Sequence, residues 1–292
     1  MRLEGAPGKE LLLFWGTPRR DMSDGQAFFP QARFGQTLRR DHWWVQPLLT
    51  FLGLSAFIVY STARAVHGKH FLVAGDDAQF LLSPFFSPLL FAHAPHNVHA
   101  WLGEFPGWMP QWVSPAFLIL WAPAGFRFTC YYYRGAYYKA FWADPINCAV
   151  GEPRSSYLGE HSLPLIFQNI HRYFFYVAAL FIGLLAHDAY LACWRTQGGV
   201  EHFGMSVGTL VLAINCLLLG GYTFGCHSAR HLVGGGMDEL SQAPGRHGCY
   251  NCVSSLNSRH MVWAWCSLFW VGFTDLYVWM CASGVWKDIR LF

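Results

Sequence analysis

A cysteine followed by two histidines at helical spacing is the pattern in this sequence that points most directly to chemistry. It reads Cys226-His227-Ser-Ala-Arg-His231, and a run of three glycines follows it. Residues four apart lie on one face of a helix, so the two imidazoles could bind one metal ion. They could instead form a polar pair near a helix C-terminus, where protonated histidine complements the helix dipole. The glycine run predicts that the helix ends there.

Two pairs of cysteines could complete a metal site with these histidines. Cys249 and Cys252 have the CxxC spacing of many metal sites. Cys130 and Cys148 form the second candidate pair, earlier in the chain. Two histidines and two cysteines suit a Rieske-type [2Fe–2S] cluster, in which each iron takes one pair, and they suit tetrahedral zinc equally well. The spacing alone leaves the metal and the thiol pair open.

Haem b is a competing cofactor, because histidines that face one another across a helix bundle can bind it through two imidazoles. The predicted helices bring His171 to the same depth as His231 or His260. Haem b would therefore be bound by two histidines from different helices, and not by His227 together with His231.

Ionisable residues elsewhere have less specific interpretations. His93, His96 and His99 could hold a metal, or could belong to a polar loop at the membrane interface. Asp188 and Asp275 lie in or near apolar segments, where ionisable groups are costly and usually functional. Each could form part of a proton path or an ordinary hydrogen bond between helices.

Hydropathy predicts the elements that position these residues. Of the 292 residues, 53% are hydrophobic and only 13% are charged, whereas a soluble domain carries about 25% charged residues. Five windows are apolar enough to span a membrane, which takes about 20 helical residues. They are residues 43–63, 113–133, 173–194, 204–226 and 261–286. The predicted fold is an all-α membrane protein, a bundle of five transmembrane helices. Residues 1–42 form an N-terminal arm and residues 43–292 the membrane domain.

A sixth apolar stretch, residues 80–92, is short and contains Pro84 and Pro88. It is too short to span a membrane as a helix. We therefore expect an interfacial or re-entrant segment there.

The distribution of Lys and Arg predicts the orientation. The N-terminal arm and segments 127–172 and 230–259 together hold 15 of the 20 basic residues. Because basic residues concentrate on the cytoplasmic side, the N-terminus is expected in the cytoplasm and the C-terminus outside. The candidate Cys and His ligands then share the cytoplasmic face. Structural disulfides are not expected on that reducing side, which favours metal ligation for the clustered thiols.

Several segments resemble the cytochrome b-like membrane anchor of actinobacterial-type succinate dehydrogenases and fumarate reductases. They are residues 126–138, 145–150, 164–174, 226–235 and 256–261, and the similarity extends over roughly residues 36–290. The resemblance implies five helices that dock beneath the flavoprotein and iron–sulfur subunits. It also implies a membrane-embedded Rieske-type [2Fe–2S] cluster in place of haem.

The resemblance supplies a set of five candidate ligands, one more than a cluster needs. They are Cys130, Cys148, Cys226, His227 and His231. The sequence departs from the family at Ala229, where many relatives have cysteine. Cys249 and Cys252 are not part of the family pattern, which leaves a different ligand set open.

A quinone site needs an apolar slot with one or two hydrogen-bond donors. Trp43, Trp44, Arg172 and His260 are candidates because they lie at a suitable predicted depth. Trp43 and Trp44 also follow basic residues, so they could serve only as an interfacial anchor.

The function implied by the resemblance is that of the membrane anchor of respiratory succinate:quinone oxidoreductase (complex II). Electrons would pass from the iron–sulfur partner to quinone, while succinate oxidation belongs to the partner subunits. The chain would be a multi-pass protein of the bacterial cytoplasmic (inner) membrane, in contact with lipid. The net charge of +3 and the scattered basic residues exclude a nucleic-acid partner. The alternatives are a haem b-binding anchor, or a zinc-site membrane protein or transporter without redox function.

Overall fold

A computed structural model describes residues 33–143, 146–153, 165–236 and 239–292. Within these ranges the chain forms eight α-helices and two short antiparallel hairpins. The helices are α1 Val45–His67, α2 Trp121–Phe128, α3 Tyr131–Tyr137, α4 His171–Leu191, α5 Val207–Phe224, α6 His227–Gly234, α7 Pro244–Ser258 and α8 His260–Ala282. The hairpins pair β1 Leu72–Val73 with β2 Leu81–Leu82, and β3 Trp194–Gln197 with β4 Val200–Phe203.

Four helices of the described chain are long and apolar enough to cross a membrane: α1, α4 with the turn before it, α5 and α8. They correspond to four of the five predicted spans. The remaining one, residues 113–133, is not a single helix. It consists of a 3₁₀ turn at Pro115–Leu118, then α2 and α3. Pro115 and Pro123 contribute no backbone N–H, which disfavours a long uninterrupted helix in this segment.

Close contacts at two glycines hold the long helices together. A Cβ at Gly125 of α2 would lie 2.2 Å from the Phe174 ring of α4, and one at Gly221 of α5 would lie 2.6 Å from the Trp263 ring of α8. The indole of Trp270 donates to the carbonyl oxygen of Val211 at 3.1 Å. Because Val211 lies near Trp270 and Gly221 lies near Trp263, α5 and α8 run antiparallel. Each glycine thus lets a large ring of the neighbouring helix pack against its backbone.

The two ends of the bundle differ in composition. One end, called the site end, holds the starts of α1, α4 and α8, the last turn of α5, and helices α3, α6 and α7. The opposite end, called the far end, holds both hairpins and the C-terminal residues. Thr37 pairs with Val150 at the site end, and Ser206 pairs with Arg290 at the far end. The candidate cysteines and histidines of the metal site therefore cluster at one end.

The proline-containing stretch at residues 80–92 is not a helix. After β2 it continues through a turn and bends, and residues 81–89 are all buried. Backbone that is neither helix nor closed barrel is tolerated at membrane depth only where protein surrounds it. Ser83 donates to Asp275 at 2.5 Å and Ser87 donates to Asp188, so the two aspartates bind this segment to α8 and α4.

A buried ion pair lies beside this segment. Arg64 of α1 and Asp275 of α8 are 2% and 0% exposed, with Nε 2.7 Å from Oδ2. The hydroxyl of Tyr60 also donates to Asp275, at 2.6 Å. The carboxylate therefore has the close partners that a buried charge requires.

Replacing Asp275 with asparagine should destabilise the protein by about 3–5 kcal/mol, because the buried Arg64 guanidinium would lose its counter-charge. The measurement is thermal unfolding of the detergent-solubilised complex. Asp77→Asn is the matched control, since the pair of Asp77 with Arg195 is partly exposed and should change little. The double variant Arg64→Met/Asp275→Leu should recover much of the loss. An Asp275→Asn protein that unfolds like the wild type would show that the ion pair does not stabilise the bundle.

Candidate metal centre

A cavity of about 500 Å³ lies at the site end, where four segments of the chain meet. Its lining includes two thiols and three imidazoles: Cys130, His171, Cys226, His227 and His260. Cys130 lies between α2 and α3, His171 and His260 begin α4 and α8, and Cys226 precedes α6. The cavity therefore collects sulfur and nitrogen donors from segments that are far apart in sequence.

Cys226 reaches the cavity because the helix before it ends earlier than predicted. The sequence pattern predicts one helix running through Cys226 to His231, but α5 ends at Phe224 and α6 begins at His227. At Gly225 a Cβ would lie 2.5 Å from the carbonyl oxygen of Gly221. Cys226 is extended, and its sulfur accepts the N–H of Ala229 at 3.3 Å, so it caps α6. Burial raises the pKa of the Cys226 thiol to about 11, although the same N–H contact partly opposes the shift.

His260 lies next to the first thiol. Its Nε2 is 3.5 Å from Sγ of Cys130, and its ring stacks on that of Tyr222 with centroids 5.0 Å apart. Its Nδ1 is buried and has no hydrogen-bond partner among the described residues. Buried polar atoms are almost always satisfied, so this nitrogen is available to bind a further group.

His171 is fixed more fully by its neighbours. It is 1% exposed, and its ring stacks on Phe126 with centroids 4.7 Å apart. The hydroxyl of Thr129 donates to the carbonyl oxygen of Gly125 at 2.8 Å, so its oxygen can accept from Nδ1–H of His171 at 2.9 Å. This contact leaves the lone pair of His171 on Nε2, the arrangement typical of a metal-binding histidine.

The spacing of His227 and His231 predicts that they share a face of a helix, and the structure confirms it. Their Nε2 atoms are 2.9 Å apart on α6. Both side chains are exposed, and of the two only His227 lines the cavity. Partial burial, followed by the charge of His231, lowers the pKa of His227. These histidines therefore lie on the rim of the site rather than within it.

The other candidate thiols do not line the cavity. Cys148 is exposed, on a loop whose backbone accepts a hydrogen bond from Arg39. Cys249 and Cys252 are exposed on α7. In the described parts of the chain, no group of three or more His, Cys, Asp or Glu side chains is placed to hold a single metal ion.

Each histidine of the triplet at the far end packs against an aromatic ring. His93 packs on Phe105, His96 on Phe71 and His99 on Phe80. Three separate ring contacts are what a polar interfacial loop would have.

The four predicted quinone residues are not gathered at this cavity. Only His260 lines it. Trp44 is 48% exposed, Arg172 is exposed on α4, and the carbonyl of Trp43 accepts from Asn147. The four residues were predicted to lie at one membrane depth, but they do not line one pocket.

Comparison with known proteins identifies the family. The family model for the actinobacterial succinate dehydrogenase subunit SdhC matches residues 45–284. The chain belongs to this family. An SdhC-family chain is a membrane anchor subunit of complex II, and the four long apolar helices agree with a multi-pass membrane protein.

A solved structure is similar over nearly the whole SdhC-family chain. It is a chain of the Mycobacterium smegmatis Sdh1 complex in the apo form, with a TM-score of 0.79 and 42% sequence identity. The match covers 88% of this chain and 94% of that one. No curated protein sequence matches the chain. The resemblance inferred from the sequence motifs is thus confirmed at the level of the family.

Proposed function

We propose that this chain conducts electrons from the iron–sulfur subunit of its complex to quinone, through a [2Fe–2S] centre held in the cavity at the site end. Cys130 and Cys226 would supply the thiolates, and His171 and His260 the imidazoles. The observation that carries the proposal is that these four buried or half-buried side chains, one from each of four segments, line one cavity. Cys130 and Cys226 belong to the set predicted from the sequence; the two histidines replace the exposed His227 and His231.

The donor set fits such a centre. Two thiolates and two imidazoles are the Rieske ligands, with one pair on each iron. Each iron takes only two protein side chains, so a site without three donors around a single ion can still hold such a centre. When bound, it supplies one-electron transfer at a potential raised by its imidazole ligands.

The surrounding residues support this use of the four side chains. The hydroxyl oxygen of Thr129 lies 2.9 Å from Nδ1 of His171, and by accepting Nδ1–H it would favour the tautomer that presents Nε2 to a metal. The N–H of Ala229 points at the sulfur of Cys226, and hydrogen bonds to ligand sulfurs are one means by which proteins tune cluster potentials. The low exposure of Cys130 and Cys226 keeps water from both thiols.

The position of Cys130 favours the cluster over haem b. Sγ of Cys130 lies 3.5 Å from Nε2 of His260, so a thiol would crowd a haem bound through that nitrogen. In a [2Fe–2S] centre, by contrast, the same thiol would itself be a ligand.

The orientation in the membrane and the docking face for the partner subunits are both inferred from the site end. The excess of Lys and Arg in its loops places the site end on the cytoplasmic side. Because α1 and α4 both begin at that end, the chain has to cross back between them. The segmented stretch that contains α2 would provide this fifth crossing, antiparallel to α4. The iron–sulfur and flavoprotein subunits would dock on this cytoplasmic face, where the residues of α7 are exposed or half-buried. The similar chain comes from a structure described as a complex, which supports partner subunits here. The membrane would be the bacterial cytoplasmic membrane.

The test is the metal and sulfide content of the purified complex, compared with that of its separated iron–sulfur subunit. We expect additional iron with an equal amount of acid-labile sulfide. Zinc without sulfide, or stoichiometric haem without additional sulfide, would overturn the proposal.

Removing the hydroxyl of Thr129 should weaken the centre without removing a ligand. Thr129→Val is expected to lower cluster retention or quinone reduction by about 10–100-fold, the usual effect of losing an outer-shell partner of a metal-binding histidine. Thr129→Ser keeps the hydroxyl and is the matched control. Equal sulfide content and activity in the valine and serine variants would show that Thr129 does not orient His171.

A further inference from the structure

We propose that a loop at the far end, residues 98–113, anchors the chain in the headgroup region of the lipid leaflet that surrounds this end. The feature that carries the proposal is a four-residue repeat in which the first residue is proline and the third is tryptophan. It reads Pro106-Gly-Trp108-Met109 and then Pro110-Gln-Trp112-Val113. The proposal concerns the membrane around the protein and does not depend on the metal centre.

The repeat folds as two consecutive tight turns. In each turn the N–H of the fourth residue donates to the carbonyl oxygen of the proline, at 2.8 Å from Met109 and at 3.0 Å from Val113. Trp108 and Trp112 take the same position in the two turns and are 78% and 74% exposed. Tryptophan is highly buried on average in folded proteins. Two rings this exposed in one loop therefore indicate a surface that something outside the chain covers.

The depth of the loop follows from its contact with the end of α1. That helix has 23 residues, so it is about 34 Å long at 1.5 Å per residue. The hydrocarbon core is about 30 Å thick, and a helix of this length ends at the membrane surface. A Cβ at Gly68, the C-cap of α1, would lie 3.1 Å from the side chain of Ser114. Trp112, which shortly precedes Ser114, thus lies near the level at which α1 leaves the hydrocarbon core.

The lipid-facing surface of the spans continues into the loop. Phe117 and Trp121, on the crossing that starts after Trp112, are exposed, and so is Val66 at the end of α1. Apolar side chains exposed on the spans face lipid. The loop exposes three further apolar side chains besides its paired tryptophans: Val98, Trp101 and Leu102. The leaflet that covers the spans at this end is therefore the surface that the loop meets first.

The chemistry of the two tryptophans suits the headgroup region. In the described part of the chain, the indole N–H groups of Trp108 and Trp112 have no hydrogen-bond partner, whereas that of Trp121 donates to the carbonyl oxygen of Leu118. Tryptophan is enriched at membrane–water interfaces because its ring is apolar while its N–H bonds to a polar partner. Headgroup oxygens supply such a partner at the depth where the rings still reach apolar lipid.

The loop reaches the membrane without help from basic residues. From residue 70 to residue 126 the sequence contains no Lys or Arg, which agrees with a position on the outer side of the membrane. Interfacial segments that select anionic lipids do so through Lys and Arg. Burial of the aromatic rings is thus the main attraction here, and the contact should not depend on the anionic lipid content.

Photolabelling of the intact complex in liposomes tests the anchor. Two phospholipid probes each carry a diazirine, one near the glycerol backbone and one at the end of an acyl chain. The glycerol-level probe should label residues 101–113 about threefold or more above the acyl-end probe, because tryptophan prefers the interface. Trp121, within the crossing, should show the reverse preference. Both ratios should be equal in neutral liposomes and in liposomes with anionic lipid. The soluble partner subunits provide the unlabelled control.

Two variants test whether the tryptophans themselves hold the loop. Trp108→Ser/Trp112→Ser should lower labelling of the loop by the glycerol-level probe about fivefold or more. The matched control is Gln111→Ser, an exposed polar position between the two rings, which should label like the wild type. Sulfide content and succinate oxidation by a water-soluble acceptor should be equal in all three proteins, since the loop lies at the end opposite the metal cavity. Failure of the proposed cluster would leave the labelling unchanged.

Three outcomes would overturn the anchor. They are absence of labelling of the loop by either probe, equal labelling in the double-serine variant and the wild type, and crosslinking of the loop to a protein subunit in place of lipid. If the double-serine complex does not assemble, the ratio of the two probes on the wild-type loop decides.

Discussion

Serine at Cys130 or at Cys226 should eliminate the additional iron and sulfide of the complex. Each thiol lines the proposed metal cavity and is almost fully buried, and serine keeps the approximate size while removing the sulfur ligand. Quinone reduction should fall by more than about 100-fold, because loss of an outer-shell partner alone costs about 10–100-fold. The measurements are iron and sulfide content and succinate:quinone activity of purified complexes.

Three further cysteines provide matched controls for this result. Cys148, Cys249 and Cys252 are exposed and do not line the cavity. Their serine variants should retain the cluster and nearly all activity. Loss of sulfide in Cys148→Ser with retention in Cys226→Ser would instead support Cys130 and Cys148, a pair that the family resemblance includes. Loss only in the variants at 249 and 252 would move the site to α7.

Glutamine at His171 or His260 should have an effect of similar size. Glutamine occupies much of the same space but replaces the imidazole donor, so we expect the bundle to assemble and the additional sulfide to be lost. Activity with quinone should again fall by more than about 100-fold. Succinate oxidation by a water-soluble acceptor, which bypasses the membrane subunit, should persist.

The histidine pair on α6 distinguishes the two possible imidazole sets. His227→Gln and His231→Gln alter exposed side chains and should leave iron and sulfide unchanged. If these two variants lose the cluster while the His171 and His260 variants keep it, the ligands are those inferred from helical spacing. Such a result would assign the metal to the rim of the cavity.

Hydropathy predicted the long helices well, because lipid-facing spans need a continuous apolar stretch whatever their neighbours do. The helix α8 begins one residue before its predicted start. Hydropathy failed at residues 113–133, where composition alone cannot distinguish one long helix from a 3₁₀ turn followed by α2 and α3. It also missed the break at Gly225, which depends on close contact with Gly221 and Leu256.

The site was predictable only where its residues are close in sequence. Spacing correctly placed His227 and His231 on one helix face, since that depends on helix geometry alone. The position of His260 beside Cys130 depends on how α8 packs against α3, and no local pattern encodes it. The spans predicted from hydropathy did place His171 and His260 at one membrane depth. Their association with Cys130 and Cys226 required the packing of four segments around one cavity.

The most direct test of the central claim is a redox titration of the wild-type complex followed by electron paramagnetic resonance. Imidazole ligation raises the potential of a [2Fe–2S] centre. We therefore predict an additional reduced [2Fe–2S] signal that appears at mild potentials and is absent from the separated iron–sulfur subunit. A complex that shows no signal beyond those of its soluble subunits, or only haem, would contradict the account.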